Sequence, residues 1–344
     1  MAAIPLVAPV ADVTMRRTCA VGASTLGDYW ALTKPEVNFL ILMATGAGFY
    51  LGRRTGPSAF PLLECAHTLL GTALVSSGAA TINQYVERHF DARMRRTARR
   101  PLVAGRMAPS AALGFGVALS FAGALYLAAV VNSLASVLSL LTATGYLAFY
   151  TPLKRKTPLC TLVGAGAGAM PPLIGWAGAT GQLSAGAWVL YAVLFLWQFP
   201  HFMAIAWLHR EDYARAGYLV LPAGRSRERV MTWQAVPPAV ALIPISLLPT
   251  FLGDADRAYL LGAVLLGCGF AWYAARLAVC RTKASARRLL LASILYLPAL
   301  LVLLMAEQLP PSTDASMRAV GDASAGIART HTSRIGAGEH ALRR

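Results

Sequence analysis

Nine apolar runs divide this chain of 344 residues, at 37–52, 62–84, 111–132, 133–150, 159–179, 186–207, 232–252, 258–280 and 289–306. The hydrocarbon core of a bilayer takes roughly 20 apolar residues per helix. Runs this closely spaced leave no room for a water-filled domain between them. The expected architecture is an all-α membrane protein, a bundle of nine transmembrane helices. The third and fourth runs nearly touch at Val131-Asn132-Ser133, which predicts a tight hairpin. Only 13% of residues are charged, against about 25% in a soluble domain. The five cysteines are scattered without a Cys-x-x-Cys pair, so neither a zinc cluster nor a disulfide framework is expected.

The net charge of +16 has to be explained inside that architecture. Of 31 Lys and Arg, 23 fall in the N-terminal segment and in the loops after the second, fourth, sixth and eighth runs. The odd-numbered loops hold Arg53, Arg54 and Arg257. Basic residues mark the cytoplasmic side, so the N-terminus is expected inside and the C-terminus outside. Basic residues spread over alternate loops form no compact face for nucleic acid. Residues 1–26 and the polar stretch 307–344 are expected to be disordered, flanking a transmembrane domain at 27–306. Arg-rich, Lys-poor usage points to a bacterial inner membrane.

The few acids locate the chemistry. Asn83, Glu87 and Asp91 stand at i, i+4 and i+8 at the end of the second run, on one helix face. Oxygen ligands on one face suit Mg²⁺. Arg96 and Arg100, shortly after, suit phosphate oxygens, which arginine grips bidentately. The same spacing would also serve ordinary ion pairs at a helix end. A second acidic stretch, Arg210-Glu211-Asp212, follows the sixth run at the same membrane face. Glu211 and Asp212 are either further metal ligands or solvated loop charges. Between them, Lys154 and Arg155 are candidate diphosphate ligands as well as topology signals. His201, in the sixth run after Pro200, is either a packed imidazole or a ligand for a metal or a haem iron.

These residues resemble the UbiA superfamily of intramembrane prenyltransferases, and within it the haem-modifying branch. Asn83, Glu87, Asp91, Arg96, Thr97, Arg100 and Pro101 match the first acidic motif, with Glu at 87 as in the haem branch. Tyr150 and Lys154 match a Tyr-x-x-x-Lys motif. Leu32-Thr33-Lys34-Pro35, Gly168-Ala-Met-Pro171-Pro172, Trp197-Gln-Phe-Pro-His-Phe and Tyr296-Leu-Pro298 extend the likeness over about residues 27–306. Quinone-type members carry Asp about where this chain has His201, which favours the haem branch. The resemblance implies a UbiA-type nine-helix bundle that transfers farnesyl from farnesyl diphosphate to a vinyl group of haem B, giving haem O. Asp91, Glu87, Lys154 and Asp212 would be catalytic. Asn83, Glu87, Asp91, Asp212 and Glu211 would hold Mg²⁺, and Arg96, Arg100, Lys154, Arg155 and Arg210 the diphosphate. His201 and Tyr150 would meet the haem, and a haem A synthase would act next. The rival readings are a prenyltransferase for another acceptor, such as 4-hydroxybenzoate or a chlorophyllide, and a small secondary transporter.

Overall fold

A computed structural model describes residues 25–53, 60–222, 224–252 and 255–306. The expected disordered segments lie outside these residues, except that Thr25 and Leu26 open the first helix. The described residues contain no strand. In chain order the helices are α1 (Leu26–Leu32), α2 (Pro35–Gly52), α3 (Leu62–Asp91), α4 (Pro109–Tyr126), α5 (Ser133–Thr144), α6 (Thr151–Leu153), α7 (Cys160–Gly168), α8 (Pro171–Thr180), α9 (Ala185–Leu208), α10 (Arg210–Ala216), α11 (Arg225–Phe251), α12 (Arg257–Cys280) and α13 (Lys283–Ala306). π-helical turns, Leu127–Val131 and Gly145–Tyr150, extend α4 and link α5 to α6.

Seven helical stretches among the described residues are long and apolar enough to cross a membrane. The other two expected spans differ from the reading above, so a count of nine is not established by length and apolarity. Helix α2 has 18 residues and opens on Pro-Glu-Val-Asn, which dilutes its apolar length. The run at 159–179 breaks into α7 and α8 around Ala169 and Met170, because Pro171 at the start of α8 has no N–H and disfavours helix before it. The predicted hairpin is present. Asn132 takes extended backbone, its side chain accepts from the Ala135 N–H at 2.9 Å, and its amide donates to the Ala177 carbonyl at 2.8 Å.

Several threonine hydroxyls inside the helices are satisfied locally, as suits a medium without water. Thr45, Thr72, Thr81 and Thr142 each donate to the carbonyl four residues back, at 2.7–2.9 Å. Large apolar residues such as Phe39, Phe121, Trp272 and Leu295 stand exposed instead of buried, an arrangement that suits lipid as the surrounding solvent.

Small residues set how closely helices approach. A Cβ on Gly175 of α8 would collide with the Thr45 carbonyl of α2, and one on Gly48 with the Pro172 backbone. Gly175→Val is therefore expected to force α2 off α8. Overpacking of this kind costs about 1–3 kcal/mol, and because α2 begins beside the site described next, activity should fall with stability. Thermal unfolding of the detergent-purified variant checks this; an unchanged midpoint would count against close α2–α8 packing.

Candidate active site

Helix α3 runs unbroken for 30 residues, so the four-residue spacing of its polar groups becomes one face. Asn83, Glu87 and Asp91 are all buried, at 1%, 6% and 1% exposure. Charges so placed have to be paired, and each meets a group from a different segment. The Lys34 ammonium, at the start of α2, donates to Asn83 Oδ1 at 2.9 Å. The Lys154 ammonium donates to both Glu87 oxygens, at 2.9 and 3.1 Å. The Arg100 guanidinium pairs with Asp91. Thr97 donates to the Asp91 carbonyl at 2.7 Å, folding the loop after α3 back over its end.

The local sequence explains how the cations arrive there. The π-helical turn Gly145–Tyr150 stacks Tyr146 on Tyr150, with ring centroids 5.6 Å apart. Single π turns recur at functional sites. Lys154 follows, its ammonium 4.6 Å from the Tyr150 ring centroid. Thr151 accepts from the Asn83 amide at 3.2 Å and donates to the Tyr146 carbonyl at 2.8 Å, joining this turn to α3. The Lys154 carbonyl accepts the Leu219 N–H at 2.7 Å, so the segment after α10 is tied to the same place.

Asn83, Glu87 and Asp91 share one buried face of α3, whereas Glu211 and Asp212 turn to different partners. Asp212 is largely buried, paired with Arg215, and accepts the Arg95 N–H at 3.4 Å, which places it against the loop following Asp91. Glu211 is exposed and lies 3.8 Å from Arg210 and 4.0 Å from Lys283. Arg210 donates to the Trp207 carbonyl at 2.9 Å. Arg155 is exposed and lies over the Phe90 ring at 4.5 Å. Arg96 and Arg100 line an open pocket of about 360 Å³ together with Lys34, Arg99 and Arg106. His201 is half-buried within α9, bonded to Ser293 of α13. A cavity of about 390 Å³ at the opposite end of the bundle, beside Trp176 and Gln182, has no ionisable side chain in its walls.

Two site residues were not singled out from sequence. Lys34 read only as a topology charge and as part of a motif. Its left-handed backbone, φ 50°, is rare for a residue with a side chain and is a form of strain found at functional sites. Burial of its ammonium, with Arg100 and Lys154 nearby, lowers its pKa to about 7. Tyr218 sits beside Glu87 with its hydroxyl buried; burial and the Glu87 charge hold it well above the usual phenol range. Burial opposes the charge of Lys154, yet the Glu87 carboxylate outweighs it and raises the Lys154 pKa.

Lys154 and Arg100 balance Glu87 and Asp91, and the fraction of Lys34 that is protonated, with Arg96 and Arg99, leaves the cluster net positive. The cluster is built to receive an anion. Asn83, Glu87 and Asp91 also present hard oxygen donors, the set that suits Mg²⁺. Among the described residues no three His, Cys, Asp or Glu side chains gather at one point. A cation here would therefore need the Asn83 amide oxygen and oxygens of its ligand.

Fold and site together define an all-helical membrane enzyme with a carboxylate–cation face at one end of the bundle. The chain belongs to the UbiA prenyltransferase family, matched over residues 40–306. A protoheme IX farnesyltransferase of Solibacter usitatus (strain Ellin6076) is 47% identical over 287 residues, covering 82% of this chain and 98% of that protein. Among solved structures, one concerned with digeranylgeranylglyceryl phosphate synthase in membranes aligns with a TM-score of 0.68 at 15% identity, over 82% of this chain and 98% of its own. A UbiA homolog from Archaeoglobus fulgidus bound to GPP and Mg2+ aligns with a TM-score of 0.57 at 15% identity, over 80% and 99%.

Proposed function

We propose that this protein transfers the farnesyl group of farnesyl diphosphate to a vinyl group of haem B, releasing diphosphate and giving haem O for haem-copper terminal oxidases. The observation that carries the reading is the buried face of Asn83, Glu87 and Asp91 set against Lys34, Lys154 and Arg100. The name of the Solibacter usitatus relative supports the choice of substrates.

In this reading Lys34, Lys154 and Arg100 take the diphosphate oxygens, with Arg96 at the mouth of the pocket. Charge-assisted contacts from fixed cations stabilise the negative charge that grows as the C–O bond breaks and its electron pair leaves with diphosphate. Mg²⁺ held by Asn83, Glu87 and Asp91, with Asp212 close by, would supply further neutralisation of the leaving group. The farnesyl C1 bonds to the terminal vinyl carbon, water adds to the carbon next to the ring, and one proton is released. The apolar bundle keeps other water from the allylic cation. Tyr146 and Tyr150, stacked above Lys154, offer an aromatic wall to that cation. Arg155, Arg210 and Glu211 pair away from this cluster and have a smaller part in it. Nine membrane crossings, with the N-terminus and this site on the cytoplasmic side of an inner membrane, complete the reading. They rest on the alternation of basic loops.

Extraction of haem from a bacterial host that makes no haem O of its own, expressing this chain, tests the function. Haem O is the expected product. Its absence, with prenylated aromatic acid formed by the same membranes from 4-hydroxybenzoate, would replace haem B as the acceptor.

A further inference from the structure

Outside the diphosphate cluster, one imidazole is held in a single chemical form. His201 of α9 stacks on Trp197, ring centroids 4.8 Å apart and planes 23° from parallel. Its Nδ1 lies 2.8 Å from the Ser293 hydroxyl of α13. That hydroxyl donates its own proton to the Leu290 carbonyl at 2.6 Å. A hydroxyl has one proton to give, so towards His201 it acts as an acceptor, and Nδ1 carries the ring hydrogen. The lone pair is then on Nε2. Trp197 Nε1 donates to the Ser293 carbonyl at 2.9 Å, which fixes the serine, the indole and the imidazole as one unit. His201 is half-buried, and its Nε2 has no hydrogen bond and is not among the buried polar atoms sealed without a partner. A fixed Nδ1–H with a reachable Nε2 lone pair is the form in which histidine binds metal, the partner of Nδ1 setting the tautomer.

Resting on the haem B reading above, we infer that His201 Nε2 is an axial ligand to the iron of the acceptor and that Ser293 is the positioning residue that keeps it in that form. On the face of α9 that carries His201, the Trp197 indole supplies a flat aromatic surface beside the imidazole, while Phe195 and Phe199 lie on the opposite face. Iron ligation would fix the centre and plane of the ring relative to the diphosphate cluster, leaving rotation about the Fe–Nε2 axis to contacts at the ring edge.

The test is a titration of ferric haem B into the detergent-purified full chain, followed by its Soret band and electron paramagnetic resonance. The wild-type protein is expected to show a nitrogen-ligated iron. His201→Ala should lose that signature and weaken binding by about tenfold, a loss of the size given by one charge-assisted contact. Added imidazole should restore the signature in His201→Ala. Ser293→Ala should weaken the signature and Ser293→Thr should retain it. An unchanged spectrum and affinity in His201→Ala would overturn the ligand assignment, and an unchanged spectrum in Ser293→Ala would overturn the positioning role. If haem O forms in the host while both variants bind haem as wild type does, the function stands and this inference alone falls. If wild-type protein neither binds haem nor makes haem O, both fall together.

Discussion

Asp91→Ala is expected to leave the protein inserted in the membrane, with a lowered unfolding temperature because Arg100 loses its buried partner, and to abolish measurable haem O formation. Asp91 is a buried carboxylate paired with Arg100, on the face proposed above to hold Mg²⁺. Its removal takes away one ligand and leaves Arg100 uncompensated beside Lys34 and Lys154. Losing one preorganised electrostatic contact to a reacting group costs about 10²–10³ in rate, and the loss of a metal ligand adds to it. Haem extraction from cells expressing the variant, with the membrane protein quantified alongside, is the measurement. Full activity at normal abundance would sink the assignment of Asp91 to the reacting centre.

Lys154→Gln should be comparably severe and should separate catalysis from stability. Lys154 and Glu87 form a pair with side chains only 12% and 8% exposed. Breaking a buried pair by removing one partner costs about 3–5 kcal/mol, because a charge is left unpaired. The single variant is therefore expected to unfold at lower temperature as well as to lose at least about 100-fold in rate. Neutralising both partners, as Lys154→Gln with Glu87→Gln, should recover much of the stability and none of the activity. That non-additivity is what two groups in contact produce. A double variant no more stable than Lys154→Gln would show that the stability loss has another source.

The first acidic motif was legible because α3 is a single helix, and four-residue spacing maps onto one face whatever the rest of the chain does. The second acidic stretch does not form one face, for a related reason. Adjacent residues on a helix diverge, so Asp212 turns to Arg95 and Arg215 while Glu211 turns to Arg210 and Lys283. Lys34 and Tyr218 reach Asn83 and Glu87 from 49 and 131 positions away in the chain; only packing brings them there. Local pattern carries no trace of that. The break between α7 and α8 was written in Pro171-Pro172, but an average of apolarity over a run does not register one missing N–H. The role of Ser293 depends on which hydroxyl donates to what, and spacing does not reveal it.

The pairing of Lys154 with Glu87 and of Arg100 with Asp91 also has a consequence for selectivity. At rest the enzyme's own carboxylates occupy the cations that an incoming anion would use. A phosphate that reaches Lys154 or Arg100 must displace a carboxylate already held beside it at high local concentration, whereas Lys34 is paired only with the neutral Asn83 amide. A diphosphate arriving with Mg²⁺ offers each side a replacement partner at once, the metal for the carboxylates and the oxygens for the cations. On the proposed reading, the two resting ion pairs would favour a diphosphate and Mg²⁺ presented together over either one alone.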